Sequence, residues 1–192
     1  MSAASYRAKP EYHREACRRS CEKIKSRVIA AYGGKCSCGV VDPDLLTIDH
    51  VGGGGNGHRR ELGSKSGGMW RTVLKDGCPA RYRLLCRNCN MRDHLERLRT
   101  VPPSTPGAAR ERDRKAGYKK LAFIAYGGPV CADCGDHKDD YDVLSLDHVE
   151  PCGGGRKRAC GWHLYKQLSD SGWPSGYRVL CLNCNWKRHL VR

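Results

Sequence analysis

Residues 47–51 (TIDHV) and 82–94 (YRLLCRNCNMRDH) recur in the same order as residues 145–149 (SLDHV) and 177–189 (YRVLCLNCNWKRH). The chain is therefore a tandem repeat, and whatever fold one block specifies must form twice. In each copy a short alternating apolar run ends in Asp-His, Leu46 to His50 and Leu144 to His148, and reads as a β-strand. A second run, Tyr82 to Leu85 and Tyr177 to Leu180, reads as its partner and leads into Cys-x-x-Cys and a final helix. Ahead of the first strand stands another cysteine pair, Cys36-Ser-Cys38 in one copy and Cys131-x-x-Cys134 in the other.

With 192 residues shared between two repeats, each half is of a size at which an apolar core alone is marginal, so something must staple it. The 13 cysteines offer zinc or disulfides. Spacing favours zinc, because Cys36/Cys38 with Cys86/Cys89, and Cys131/Cys134 with Cys181/Cys184, are chelating knuckles whose close neighbours are poorly placed to bridge each other. A four-cysteine zinc site is closed, so it supplies folding energy and placement rather than chemistry. The shortened Cys36-Ser-Cys38 knuckle is expected to make the first module strained or metal-poor.

Outward from these motifs, each copy opens with a basic helix. One runs from about Glu11 to Ala31 with an apolar stripe of Ile24, Val28 and Ile29, and the other from Arg110 to Ala125 with Leu121, Ile124 and Ala125 on one side. Both run into Ala-Tyr-Gly-Gly, a helix stop. Residues 100–109 (TVPPSTPGAA), with three prolines and no charge, read as a semi-extended linker between modules at 1–99 and 110–192. Inside each copy a glycine-rich basic loop follows Asp-His, at 52–60 and 153–158, then a short amphipathic helix (Trp70 to Lys75; Tyr165 to Leu168) and a Gly-x-Pro turn. His58, Arg59 and Arg60, with Arg156, Lys157 and Arg158, are the expected phosphate contacts of those loops. Cys17 and Cys21 lie one helical turn apart with no partner pair in the sequence nearby, and Cys152 and Cys160 have no counterpart in the first copy.

The formal charge is +15. Two zinc ions with eight thiolates would bring it to about +11, and such a surface points to a polyanion, nucleic acid before anionic lipid. Residues 1–100 carry 20 Lys/Arg against 10 Asp/Glu and the remainder 15 against 10, so the first half has the stronger expected grip. Asp133, Asp136, Asp139, Asp140 and Asp142 make the second knuckle loop acidic and unwelcoming to phosphate. Neither a signal-peptide core nor an apolar run of about 18 residues is present. An intracellular, reducing setting without membrane insertion is the expectation, the cytoplasm or nucleoid of a bacterial or phage-infected cell.

Residues four apart share a helix face, so Asn90 with His94, and Asn185 with His189, are expected to point at the strand carrying Asp49-His50 or Asp147-His148. The combination of cysteine knuckles, Asp-His, glycine-rich loop and Cys-x-x-Cys-Asn-x-x-x-His, over residues 32–94 and 126–189, resembles the zinc-containing HNH endonucleases of the ββα-metal (His-Me finger) class, near the phage recombination endonuclease VII type. The resemblance implies an α+β protein of two zinc-stapled ββα-metal modules acting on DNA, with RNA as the other substrate. It implies His50 and His148 as general bases, and Asp49 with Asn90, or Asp147 with Asn185, as holders of one Mg²⁺ or Mn²⁺. His94 and His189 would complete the metal shell, orient the asparagine or pack. Two constellations in one chain suggest a monomeric pseudo-dimer in which each module nicks one strand. One rival is a zinc-containing nucleic-acid-binding or ribosome-associated protein in which these residues are relics; another is a split of labour between one catalytic and one DNA-gripping module, with the short Cys36-Ser-Cys38 knuckle making the first copy the suspect.

Overall fold

A computed structural model describes residues 10–61, 66–150 and 159–190. The expected contacts Arg156, Lys157 and Arg158, together with Cys152 and the side chain of Arg59, lie outside the described residues. The architecture is α+β with two small antiparallel sheets: α1 Pro10–Ala31, β1 Leu46–His50, α2 Gly55–Glu61, α3 Ser66–Lys75, β2 Tyr82–Cys86, α4 Arg87–Arg99, α5 Pro106–Ala125, β3 Leu144–His148, α6 Trp162–Asp170, β4 Tyr177–Cys181 and α7 Leu182–Leu190. No described helix is long and apolar enough to cross a membrane. The chain divides into two compact units, Met1–Cys86 and Arg87–Arg192. The final helix of the first repeat, α4, thus belongs to the second unit.

In the first unit, β1 pairs with β2 in a register that sets Asp49 opposite Arg83 and His50 opposite Tyr82. Helix α1 packs on α3, burying Val28 and Ile29 with Met69, Val73, Leu46, Ile48 and Leu84. The second unit repeats this plan, with β3 and β4 placing Asp147 opposite Arg178 and His148 opposite Tyr177. There α5 packs on α6, and its core gathers Ala122, Phe123, Val143, Leu144, Tyr165, Val179 and Leu180. Ala122 and Phe123 correspond to Val28 and Ile29 when the two Ala-Tyr-Gly-Gly stops are aligned.

The expected stripe of α5 is therefore wrong. Leu121 is 53% and Ile124 66% exposed, and Ala125 is exposed too, because the phenyl ring of Phe123 takes the core position and rotates its neighbours outward. The same helix begins at Pro106, inside the stretch expected to be linker. Thr105 accepts a hydrogen bond from the Ala108 N–H at 3.1 Å and Pro106 occupies the first turn, where its missing N–H costs nothing.

Both leading helices stop in the same way. The Gly34 N–H reaches back to the Ile29 carbonyl at 2.9 Å and the Gly128 N–H to the Phe123 carbonyl at 2.7 Å, with positive φ at each glycine. The tyrosine before the glycines then donates its hydroxyl across the unit, Tyr32 to the Pro79 carbonyl and Tyr126 to the Pro174 carbonyl, each at 2.8 Å. This pins the Gly-x-Pro turn that feeds the second strand, and so fixes where that strand starts. In that turn Cys78 and Trp173 both adopt left-handed φ, 55° and 57°, a conformation that side chains seldom hold without surrounding support.

Candidate metal centres and strand-end site

The sulfur atoms of Cys36, Cys38, Cys86 and Cys89 lie within 4.8 Å of one another, as do those of Cys131, Cys134, Cys181 and Cys184. Cys38 Sγ and Cys86 Sγ are 3.7 Å apart, close to the edge of about 3.8 Å of a tetrahedron with zinc–sulfur bonds of about 2.3 Å. Both groups can therefore hold a zinc ion, including the group with the short knuckle. The deletion is absorbed in the loop. In the first copy the Cys36 N–H bonds to the Val40 carbonyl and the Gly39 N–H to the Cys36 carbonyl, both at 2.9 Å. In the second the Cys131 N–H bonds to the Asp136 carbonyl at 3.0 Å and the Gly135 N–H to the Cys131 carbonyl at 2.9 Å. The ring is one residue larger, but the glycine after the second cysteine closes it in both, at φ 90° and 72°.

Thiol chemistry in the second group fits a cation. Burial pushes the Cys134 thiol up to about 11, reinforced by Cys131 and Cys181, and drives Cys184 upward as well. Burial also works against ionising Cys131, but backbone N–H groups of Cys134, Cys181 and Asp133 outweigh it and hold that thiol low. The Cys131 thiolate is thus favoured by the backbone, and Cys134 and Cys184 need a metal charge beside them to ionise.

Comparison with family models, with curated proteins and with solved structures gives no match for this chain.

At the strand ends the aspartates are buried, Asp49 at 8% and Asp147 at 6% exposure, and each is ion-paired to the arginine opposite in the strand register. Arg83 places Nε and Nη2 each 2.9 Å from Asp49 Oδ2. Arg178 Nη2 lies 3.4 Å from Asp147 Oδ2, and Arg188 on α7 approaches the same oxygen at 3.9 Å. Nothing in the sequence marks these arginines beyond the Tyr-Arg that opens the second apolar run in both copies. Spacing along one strand does not reveal what stands across from it.

Helix α7 lies over β3. Asn185 donates to Ser145 Oγ at 3.1 Å while Arg188 reaches Asp147, so a three-residue step on the helix matches a two-residue step on one strand face. Asn185 is accordingly brought to the face that carries Asp147. His189 is exposed, as is His94 on α4.

His50 has a neighbour that the repeat did not predict. What the sequence presents as a glycine-rich loop folds in part as α2, which turns His58 back so that its Nδ1 lies 2.9 Å from His50 Nε2 and 3.3 Å from the Tyr82 hydroxyl. The first residue of that helix is glycine because of crowding, since a Cβ on Gly55 would sit 2.9 Å from His50 Nδ1. In the second copy His148 packs against Tyr177, with ring centroids 4.6 Å apart.

The acidic loop of the second knuckle has a use that charge alone did not suggest. Asp140 receives Arg92 Nε at 2.8 Å and Asp142 receives both Nη atoms of Arg99 at 2.8 and 2.6 Å, docking α4 within the second unit. Asn88 Nδ2 is 3.0 Å from His137 Nε2 of the same loop. Asn88 and Asn183 then cap each other: the Asn88 N–H donates to Asn183 Oδ1 at 3.3 Å and the Asn183 N–H to Asn88 Oδ1 at 3.1 Å. Each satisfies a first-turn N–H that its own helix leaves without an acceptor. Arg87 lies over the Trp186 ring at 3.4 Å beside this pair.

Proposed function

We propose that this chain is a metal-dependent DNA endonuclease of the ββα-metal type. The observation that carries the reading is the placement of His50 and His148 at the same strand end in both units, each next to a buried aspartate, in a strand pair whose opposite end carries a cysteine of a four-cysteine group able to hold zinc. In this reading the sulfur groups are scaffold. His50 takes a proton from water as the water oxygen bonds to phosphorus, the bond from phosphorus to the 3′ oxygen breaks, and that oxygen takes a proton from a solvent water, leaving 5′-phosphate and 3′-hydroxyl ends. A divalent cation held through Asp49, with Asn90 the partner that the repeat assigns to it, would supply positive charge to the phosphorane and the departing oxygen. For Asp49 to take that part, Arg83 must turn outward; its side chain is 38% exposed, which gives it room to do so. The freed guanidinium is then available to the phosphate it displaces onto.

His58 orients His50. A hydrogen bond between ring nitrogens fixes the tautomer and plane of both imidazoles, and Gly55 allows the His50 ring to sit against the backbone of α2. The net charge of +15 supports a polyanionic substrate. The second reading, a non-catalytic nucleic-acid-binding or ribosome-associated protein, is favoured by the Asp–Arg pairs, which neutralise both carboxylates. Supercoiled plasmid incubated with Mg²⁺ or Mn²⁺ separates the two. Nicking that requires added Mg²⁺ or Mn²⁺ in the zinc-loaded chain and is abolished by His50→Ala supports the endonuclease, and intact plasmid with retained DNA binding supports the alternative.

A further inference from the structure

Three heteroatoms converge at the His50 end of the first strand pair. His50 Nε2 lies 2.9 Å from His58 Nδ1, and the same His58 nitrogen lies 3.3 Å from the Tyr82 hydroxyl. All three residues belong to the first unit: β1 ends at His50, the register sets Tyr82 opposite it, and α2 returns His58. The arrangement is braced from the other side. A Cβ on Gly55 would sit 2.9 Å from His50 Nδ1, so that edge of the ring lies against backbone and Nε2 is the edge presented to His58. Tyr82 is buried, whereas both imidazoles are half-buried, within reach of solvent yet held by their neighbours.

A hydrogen bond accounts for the two ring nitrogens, but the separations also match the edges of a metal coordination shell. With metal–nitrogen bonds of about 2.0–2.1 Å, neighbouring ligand atoms stand about 3.3 Å apart around a tetrahedral ion and about 2.9 Å apart around an octahedral one. Neutral imidazole suits zinc, copper and nickel, while Mg²⁺ prefers oxygen and gives up its water reluctantly. We infer that His50 and His58 chelate a third zinc ion, reversibly and apart from the two four-cysteine groups, with the Tyr82 hydroxyl or water completing its shell. On binding, each nitrogen gives zinc a lone pair, and the ring proton between them passes through water to the far nitrogen of its own ring. With two nitrogen ligands in place of four thiolates, this ion leaves when free zinc is scarce. Its effect on cleavage rests on the endonuclease reading: while zinc holds Nε2, His50 has no lone pair there to accept a proton from water. Zinc is then structural at one concentration and inhibitory at a higher one. The second copy has no histidine between His148 and Trp162, so the chelating partner of His50 has no counterpart in that loop.

The test uses the full chain with both cysteine groups loaded with zinc and its histidine rings isotope-labelled for nitrogen magnetic resonance. Further Zn²⁺ should move the resonances of His50 Nε2 and His58 Nδ1 together, and Mg²⁺ should not. This arm needs no variant to fold. Equilibrium dialysis should find one more zinc ion on the wild type than on His58→Ala, which keeps the two that its fold requires. In plasmid assays with Mg²⁺, saturating zinc should lower cleavage at the first copy by about 10²–10⁴, the contribution of a general base, so that linear product gives way to nicked circles. His58→Ala, measured against its own rate without added zinc, should escape that inhibition. Unmoved resonances at the two nitrogens, or equal zinc counts in the two proteins, would overturn the inference. Shifted resonances in a chain that cuts no plasmid would leave the zinc site standing and remove the endonuclease reading, and cutting with unmoved resonances would do the reverse.

Discussion

The two cysteine knuckles differ by one residue and still take part in groups of four sulfur atoms, whereas the two strand-end sites share Asp-His and an arginine across the register but hold that arginine at different distances, 2.9 Å from Asp49 and 3.4 Å from Asp147. The difference teaches where a repeat tolerates change. A knuckle is a local ring closed by a backbone hydrogen bond and a glycine, so a deletion is taken up inside it. A strand-end site is assembled across two strands, so a small difference in how they pair changes how closely the arginine meets its carboxylate.

The strongest way to break the comparison is to remove metal. Both copies should release zinc to a strong chelator, with two ions per chain measured by mass spectrometry and loss of helical circular dichroism. A structural zinc is worth roughly 10–16 kcal/mol, more than the whole stability of a small unit of about 5–15 kcal/mol. Cys181→Ser should therefore unfold the second unit outright. A single zinc per chain would show that the short first knuckle fails after all.

Next in size is the pair of histidine variants. His50→Ala is expected to lower cleavage at the first copy by about 10²–10⁴, and His148→Ala to do the same at the second, so that either variant nicks plasmid without giving linear product. Unaltered linear product from either variant would sink the two-site reading. Thermal unfolding must be unchanged for either result to count.

The cores sharpen the comparison further. Phe123→Ala should destabilise the second unit by about 3–5 kcal/mol, against roughly 1 kcal/mol for Ile29→Val at the matching position of the first. Denaturant unfolding monitored for each unit would check this, and similar costs would mean that Phe123 is not the anchor its burial implies. Smallest is Thr105→Ala, expected to cost about 1 kcal/mol through loss of the α5 cap, which has no described counterpart on α1. An unchanged melting temperature would remove that distinction between the leading helices.

Much of this architecture was legible because its determinants are close in sequence. Cys86 and Cys89, the alternation ending at His50, and Ala-Tyr-Gly-Gly each declare a local geometry. The strands fall where the alternation puts them, and the cysteines gather as their spacing suggests. What could not be read depends on partners set by register and packing. Arg83 and Arg178 matter only because Asp49 and Asp147 stand opposite them. His58 looked like a loop residue because the glycines around it have poor helix propensity, yet α2 forms and returns it to His50. On α5, apolar residues occur on more than one side, and periodicity cannot say that Phe123 rather than Leu121 and Ile124 is buried.

The reciprocal capping of Asn88 and Asn183 has a consequence for how the molecule behaves on dilution. Two separate chains making the same contact would form it in proportion to their concentration, and would lose it when scarce. Here both asparagines lie on one polypeptide, so the helix ends meet at an effective concentration fixed by the segment that joins them. The pairing is then a unimolecular equilibrium, as complete at nanomolar as at millimolar protein.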